Sequence, residues 1–155
     1  MISPYLLPGD CLLYKPSSLF GQIIRIKTWH NVAHCEVYAG NAASWASRDG
    51  LGVASYPLRT DQLVYVLRPT VPLNLTAATA WATSVSGTKY GWLELLNFVG
   101  LPINAGGMFC SQFLTEYYRH AGWTMFIEDP PSRVAPFEFL NLVGAGFTDV
   151  STELV

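Results

Sequence analysis

Apolar and aromatic residues recur at intervals of three and four along residues 108–122. This spacing predicts a helix with a buried stripe made of Phe109, Phe113, Leu114, Tyr117 and Ala121. Gly122 stands where such a helix is expected to end, and two glycines, Gly106-Gly107, break the chain before it. The pattern therefore places Cys110 in the first turn of a largely buried helix.

A different period, of two, runs through residues 32–39. It predicts a strand in which His34 and Glu36 point to one face while Cys35 and Val37 point to the other. The dipeptide that follows, Gly40-Asn41, is typical of a hairpin turn. Similar runs between turn residues predict strands at 11–14, 42–47, 52–58 and 62–69. The last three of these continue the 32–39 strand as an antiparallel meander.

The rest of the chain is predicted to be mostly helical. Helical spacing indicates further helical segments at residues 17–27, 73–86, 90–98 and 135–140. A final strand is expected at residues 147–154. Because strands and helices fall into separate blocks, we expect one α+β domain over residues 1–155. Its expected architecture is a small, barrel-like antiparallel meander with the helices packed on one face.

Composition limits the classes of partner. The 155-residue chain carries a formal net charge of −2, with 13% charged and 50% hydrophobic residues. That charge provides no basic surface for nucleic acid, so no nucleic-acid partner is expected. No apolar stretch approaches the length of a membrane span, so no transmembrane segment is expected. Residues 1–10 lack the basic segment of a signal peptide, so the chain as written is expected to be cytoplasmic.

Three cysteines show neither the paired spacing of a metal site nor the density of a disulfide scaffold. Cys110 is distinctive because the N-terminus of a helix favours a thiolate over a thiol. His34 stands on a strand that such a helix can cover, and an imidazole there can act as a base toward the thiol. Glu36, on the same face, is the nearest group to orient the ring, with Ser44 and Asn41 as alternatives.

Each of these residues also has a structural interpretation. A lone cysteine on an apolar helix is more often a core residue than a nucleophile. His30 and His34 have the i, i+4 spacing of two zinc ligands, but the glutamate that would follow the first histidine is missing. There is also no glycine-rich phosphate loop. We therefore expect neither a metal nor a cofactor. The aromatic run that begins at Tyr90 is either core or one wall of a groove, with the Tyr90 hydroxyl near the nucleophile.

Five motifs occur in a fixed order: Gly9-Asp10, Ala33-His34-Cys35-Glu36-Val37-Tyr38-Ala39-Gly40, Tyr90-Gly91-Trp92-Leu93, Phe109-Cys110-Ser111-Gln112-Phe113 and Val134-Ala135-Pro136-Phe137-Glu138. Together they resemble the NlpC/P60 superfamily in its circularly permuted, papain-like form, the YaeF/YiiX type, in which the histidine precedes the cysteine. The resemblance covers roughly residues 9–140. It implies that Cys110 is the nucleophile and His34 the general base. Many relatives take the third polar group from the returning strand. That strand offers Ser44-Trp45-Ala46-Ser47 here, so Glu36 is favoured for this role.

By this resemblance the chain is expected to be a cysteine hydrolase of the peptidase or amidase class, acting through an acyl-enzyme on Cys110. The N–H of Cys110 would help bind the oxyanion, and Tyr90 and Ser44 are further candidates to support the substrate or the oxyanion. The implied substrate is a peptide, a peptidoglycan peptide or a lipid-linked amide, in a bacterial or phage protein, phage- or envelope-associated.

Two alternatives remain. One is a lipid acyltransferase similar to the lecithin:retinol acyltransferase branch of the permuted fold, with residues 92–98 lining a lipid groove. That enzyme would use the same cysteine and histidine but pass the acyl group to an alcohol or an amine. The other is a binding or structural module that keeps the fold without catalysis.

Overall fold

Six antiparallel strands form the sheet of this protein, whose computed structural model describes residues 5–16, 30–91 and 106–154. The strands are β1 (Cys11–Tyr14), β2 (His34–Gly40), β3 (Ala43–Arg48), β4 (Gly52–Pro57), β5 (Leu63–Pro69) and β6 (Phe147–Asp149). Their spatial order is β4-β3-β2-β1-β5-β6. Strand β1 therefore lies near the middle of the sheet, and its four residues are all buried.

Helices in the second half of the chain complete the α+β architecture predicted from the sequence. They are α1 (Leu75–Val85) and α2 (Cys110–His120), with short 3₁₀ segments at Pro131–Arg133, Pro136–Leu142 and Ser151–Leu154. In the described ranges, every helix is too short or too polar to traverse a lipid bilayer.

The predicted meander is only partly correct. Strands β2, β3 and β4 pair consecutively, but β5 pairs with β1 instead of β4. The described strands form an open sheet with β4 and β6 at its edges, in place of the expected barrel-like meander. The reason lies in β1: its apolar run Cys-Leu-Leu-Tyr suits a strand that is buried on both faces and paired on both sides. Spacing between turns does not reveal that requirement.

The sheet separates two apolar clusters of unequal size. The larger cluster contains residues of α1 and α2 together with strand residues Cys11, Leu13, Cys35, Val37 and Leu67. The smaller cluster, on the opposite face, contains Leu12, Tyr14, Tyr38 and Val66. The prediction that the helices pack on one face of the sheet is confirmed for α1 and α2.

Helix α2 has the boundaries that the sequence predicts. All five residues of the predicted stripe are buried. Phe109 precedes the helix in an extended conformation, so Cys110 is its first residue. At the other end Gly122 adopts a φ of 94°, the N–H of Gly122 donates to Arg119 O, and the N–H of Trp123 donates to Tyr118 O. This pair of hydrogen bonds is a Schellman cap, which requires a residue that tolerates positive φ.

Other predicted elements differ in extent or lie outside the described residues. The helix predicted at 73–86 begins at Leu75, where the Asn74 side chain accepts a hydrogen bond from Ala77 N at 3.0 Å. The final strand is limited to Phe147–Asp149 and is followed by a 3₁₀ segment. Residues 17–27 and 92–98, for which helices are predicted, lie outside the described ranges, as does the lipid-groove wall suggested for 92–98.

Two glycines, one at the start of β4 and one just before it, provide a matched test of the packing between β4 and residues 88–90. Gly50 and Gly52 both have positive φ, 73° and 82°, but a Cβ on Gly52 would lie 2.3 Å from Thr88 O, whereas nothing lies within 4 Å of one on Gly50. Gly50→Ala should cost about 1 to 2 kcal/mol of the free energy of unfolding, through backbone strain alone. Gly52→Ala should cost about 3 kcal/mol or more, because the 88–90 segment must also move. Urea unfolding of both variants measures this difference, and equal losses would contradict the packing described here.

Candidate active site

Cys110 begins α2 and is almost completely buried, with 1% of its surface exposed. The chain just before it is fixed against the sheet. Met108 forms a bridge with Tyr90, its N–H donates to Lys89 O at 3.1 Å, and the Ser47 hydroxyl donates to Met108 O. Anchoring on both sides holds the N-terminus of α2, and therefore the Cys110 sulfur, at a defined place at the end of the sheet.

His34 meets Cys110 by a route that the sequence did not indicate. A helix that covered the His34 and Glu36 face of β2 would bring Cys110 to His34 directly, but α2 packs on the opposite face, which carries Cys35 and Val37. His34 is the first residue of β2, so its ring lies at the end of the sheet. There the ring interacts with the Cys110 side chain by a hydrogen bond and by charge.

The pKa of the Cys110 thiol is lowered well below its ordinary value. The largest cause is the thiol of Cys35, which donates a hydrogen bond to the Cys110 sulfur. Burial opposes the shift, whereas the charge of His34, its hydrogen bond and the backbone N–H of Cys35 add to it. Burial instead raises the pKa of the Cys35 thiol, so Cys35 stays a donor. The Cys110 thiol therefore loses its proton more readily than an ordinary thiol.

His34 is correspondingly held as an imidazolium. Burial disfavours the charged ring, but the interactions with Cys110 and Glu36 outweigh burial and raise its pKa to about 9. The Nε2 atom lies 3.0 Å from Glu36 Oε1. An ionised carboxylate can only accept, so Nε2 donates its proton to Glu36 and Nδ1 is the nitrogen left for Cys110. About 16% of the His34 side chain remains exposed, so one edge of the ring is accessible.

The Glu36 side chain has no exposed surface, yet it is ionised. Burial alone would raise its pKa, but hydrogen bonds and charge from His34, together with hydrogen bonds from Arg48 and Ser44, lower it to about 2. Arg48 approaches with two nitrogens, 2.8 and 3.0 Å from the two carboxylate oxygens, and Arg59 adds an ion pair at 3.3 Å. Glu36 is thus a permanent anion behind His34.

The other predicted site residues lie at different distances from this group. The Ser44 hydroxyl is buried and donates to Glu36 Oε2, so it contacts the carboxylate and not the imidazole or a substrate. Asn41 lies in the turn beyond the far end of β2, about 20 Å of extended chain from His34, and cannot orient the ring. Tyr90 interacts with Cys110 by a hydrogen bond and by charge, and burial is the main cause of its raised pKa.

Sequence reasoning missed three residues of this site. Cys35 was expected to face away from the nucleophile because it faces away from His34, but α2 lies on its side of the sheet. Arg48 lies four residues after Ser44 on β3 and therefore on the same face of the strand. The period-two pattern could have placed it on the face of Glu36. Arg59 lies in the connection between β4 and β5, where no periodic pattern gives a signal.

The arrangement brings together a thiol of lowered pKa, an imidazole of raised pKa and a buried carboxylate at the N-terminus of a helix. Such a group can attack an electrophilic carbon and then transfer a proton to a leaving group. In the described ranges no three His, Cys, Asp or Glu side chains come close enough to one another to hold a metal ion. A scan against protein-family models and a search of curated proteins both find no match to this chain.

Cys35 can be tested as the main donor to the thiolate. Cys35→Ala removes the S–H donor, so the pKa of Cys110 should rise by about one unit, the size expected for losing a hydrogen bond to a charged group. The rate of Cys110 alkylation by iodoacetamide, followed by mass spectrometry as a function of pH, reports this value. Cys11→Ala, equally buried on β1, is the matched control and should leave the profile in place. A Cys35→Ala profile that overlays the native one would remove Cys35 from the site.

The shifted pKa values of Glu36, His34 and Cys110 also predict how stability depends on pH. The pKa of Glu36 falls from 4.5 to about 2, so its contribution is present above pH 4.5 and is lost as the pH falls through 2. The pKa of His34 rises from 6.5 to about 9, so its contribution is present below pH 6.5 and is lost as the pH rises through 9. The lowered pKa of Cys110 adds stability that increases as the pH rises toward 9, so it offsets the loss of the His34 contribution there. Urea midpoints should therefore change little between pH 6.5 and 9 and decrease as the pH falls below 4.5. The acid decrease should be smaller in Glu36→Gln, and an identical decrease in that variant would be inconsistent with an ionised Glu36 in the native state.

Proposed function

We propose that this protein is a cysteine hydrolase of the amidase or peptidase class, with Cys110 as nucleophile and His34 as general acid and base. The observation that carries the proposal is the continuous chain of contacts from Cys110 through His34 to the buried carboxylate of Glu36. A structural cysteine in a core needs no charged imidazole. A histidine in a core needs no buried, ionised carboxylate that two arginines also contact.

The proposed reaction starts from the ion pair. The Cys110 thiolate attacks the carbonyl carbon of an amide, and the negative charge moves to the carbonyl oxygen. The backbone N–H of Cys110 is at the helix N-terminus and can donate to that oxygen. His34 then gives its proton from Nδ1 to the leaving amine as the carbon–nitrogen bond breaks. The acyl group stays on Cys110 as a thioester.

The second half of the reaction releases the enzyme. Neutral His34 takes a proton from water, and the resulting hydroxide attacks the thioester carbonyl. The carboxylic acid leaves, Cys110 returns as a thiolate and His34 as an imidazolium. Throughout, Glu36 keeps Nε2 protonated and stabilises the charge that the ring carries before and after each transfer.

The substrate class follows from the resemblance of the motifs to the permuted NlpC/P60 superfamily. On that basis we propose a peptide, a peptidoglycan peptide or a lipid-linked amide as the substrate, and a bacterial or phage origin. The Tyr90 side chain contacts Cys110 and so lies where an acyl group would be bound. It is the residue proposed to support the substrate.

The same thioester supports a second candidate, the lipid acyltransferase, because an alcohol or an amine can take the acyl group from Cys110 in place of water. Adding glycerol or a primary amine to the reaction and measuring the acylated product separates transfer from hydrolysis.

A simple activated ester tests the proposed nucleophile without knowledge of the substrate. Mixed with p-nitrophenyl acetate at neutral pH, the native protein should form an acetyl adduct on Cys110, located by peptide mass spectrometry. Cys110→Ala should abolish the adduct. His34→Ala should slow its formation about a hundredfold or more, because the base that keeps the thiolate is lost. Glu36→Gln should slow turnover at least about tenfold with the fold intact.

The matched control is Cys11→Ala, which removes an equally buried thiol from the neighbouring strand and should acetylate at the native rate. Equal, slow modification of all three cysteines in the native protein would end the hydrolase proposal. A non-catalytic binding module on the same fold would then replace it.

A further inference from the structure

The carboxylate of Glu36 has more partners than orientation of a histidine requires. Its Oε1 lies 3.0 Å from His34 Nε2, 2.8 Å from Arg48 Nε and 3.3 Å from an Arg59 nitrogen. Its Oε2 accepts from the Ser44 hydroxyl and from a second Arg48 nitrogen at 3.0 Å. Every lone-pair direction of the carboxylate is occupied, so a change in one partner is transmitted to the others.

Arg48 is itself held in place by groups other than Glu36. Its guanidinium lies over the Tyr56 ring, 4.4 Å from the centroid, and donates to Pro57 O at 3.2 Å. Both of these contacts come from β4, the strand paired with β3. The guanidinium plane is thus fixed by contacts that do not involve Glu36. Its two hydrogen bonds to the carboxylate then define the plane of the Glu36 carboxylate.

Arg59 approaches the same oxygen from another direction. Its guanidinium carbon lies 4.8 Å from the centroid of the Tyr14 ring, and Tyr14 in turn is a neighbour of His34, with ring centroids 5.8 Å apart. The Tyr14 hydroxyl donates to Arg59 O at 3.2 Å. Arg59 therefore adds a second positive charge beside Oε1 and ties the connection after β4 to β1.

These contacts determine the protonation state and the orientation of the Glu36 carboxyl group. A carboxyl group with no exposed surface prefers to be neutral, and a neutral carboxyl can rotate and donate its own proton. In that state it would no longer accept reliably from His34 Nε2. His34 contributes most to keeping Glu36 ionised, Arg48 and Arg59 add positive charge beside the carboxylate, and the fork of Arg48 supplies the geometry.

We propose that Arg48 is a positioning residue of this site, with Arg59 in a supporting role. Arg48 holds the Glu36 carboxylate in the orientation in which Oε1 accepts a hydrogen bond from Nε2 of His34. The inference rests on the proposed function, because it assigns to the arginines a role in the reaction of Cys110. It goes beyond that function by making the behaviour of the base depend on a residue that contacts neither Cys110 nor the ring.

Several charged or titratable groups act on His34 or on its carboxylate partner, and a test must change only one of them. In the described ranges these groups are Tyr14, Cys35, Glu36, Arg48, Asp49, Tyr56, Arg59 and Cys110. Removing the charge of Arg48 would change the pKa of His34 in two opposite directions. Loss of a nearby cation would raise this pKa, whereas a Glu36 carboxylate that is no longer held in place would lower it. A charge-preserving substitution avoids this conflict.

Arg48→Lys keeps the positive charge but replaces a planar fork by a single ammonium, which can reach only one carboxylate oxygen. Glu36 then loses its fixed orientation and becomes a poorer acceptor for Nε2. The imidazolium is a stronger donor than the neutral ring, so a poorer acceptor lowers the pKa of His34. The alkaline inflection in the rate of Cys110 alkylation by iodoacetamide, where His34 loses its proton, should move down by about half a unit to one unit.

Arg59→Lys should move the same inflection in the same direction but by less, because Arg59 reaches one oxygen at a longer distance. It also carries the test if Arg48→Lys does not give folded protein. The matched control is Arg68→Lys. Arg68 makes the same two-pronged contact, 3.1 and 2.9 Å, with the buried carboxylate of Asp10, which bonds Leu7 N and not a histidine. This variant should leave the inflection unchanged.

The outcomes separate this inference from the proposed function. Glu36→Gln gives the full shift of the alkaline inflection that loss of the carboxylate acceptor produces. A shift in Glu36→Gln without one in Arg48→Lys and Arg59→Lys would overturn the positioning role while leaving the nucleophile intact. An equal shift in Arg68→Lys would also overturn it, because the effect would then be general. Alkylation of Cys110 that is insensitive to His34→Ala would instead overturn the proposed function itself.

Discussion

A carboxylate with no exposed surface, that of Glu36, is the constraint on which the arrangement at this end of the sheet depends. A buried charge costs several kcal/mol unless donors and opposite charges surround it. Here four side chains do so, and they come from three different segments: His34 on β2, Ser44 and Arg48 on β3, and Arg59 beyond β4. Strands β2, β3 and β4 therefore have to be paired in register before this buried charge is tolerated.

The same requirement links the sheet to helix α2. His34 connects the two, because one ring nitrogen is used by Glu36 and the other is left for Cys110 at the helix N-terminus. On the opposite face of β2 the Cys35 thiol and N–H also reach the Cys110 sulfur. The sulfur is thus contacted from both faces of one strand, which is feasible only at the end of a sheet. A buried network of charges of this form is costly in a core, which is why we propose a catalytic role for it.

Much of this architecture was predictable from local patterns. The period of three and four placed Cys110 at the start of α2 and Gly122 at its end, and the period of two placed Glu36 beside His34. Those predictions depend only on which residues a helix or strand must bury. The pairing of β5 with β1 was not predictable in this way, because it depends on the need of a short, wholly apolar strand for neighbours on both sides.

The rest of the site depended on which face of the sheet the helix covers. A strand period assigns residues to two faces but does not say which face α2 takes. Cys35 was therefore placed away from Cys110, although its thiol donates to the Cys110 sulfur. Arg59 lies in an irregular connection and reaches Glu36 only through tertiary structure. Long-range contacts of this kind leave no periodic trace in a sequence.

The central claim is that Cys110 and His34 form a thiolate–imidazolium pair in the native protein at neutral pH. Nitrogen NMR of the histidine ring, in protein labelled at its histidines, observes this state directly. We expect both nitrogens of His34 to be protonated in the native chain, and the ring to lose a proton at a clearly lower pH in Cys110→Ala, where the thiolate is absent. A neutral His34 ring at neutral pH in the native protein, or a ring whose titration ignores the removal of Cys110, would contradict the account.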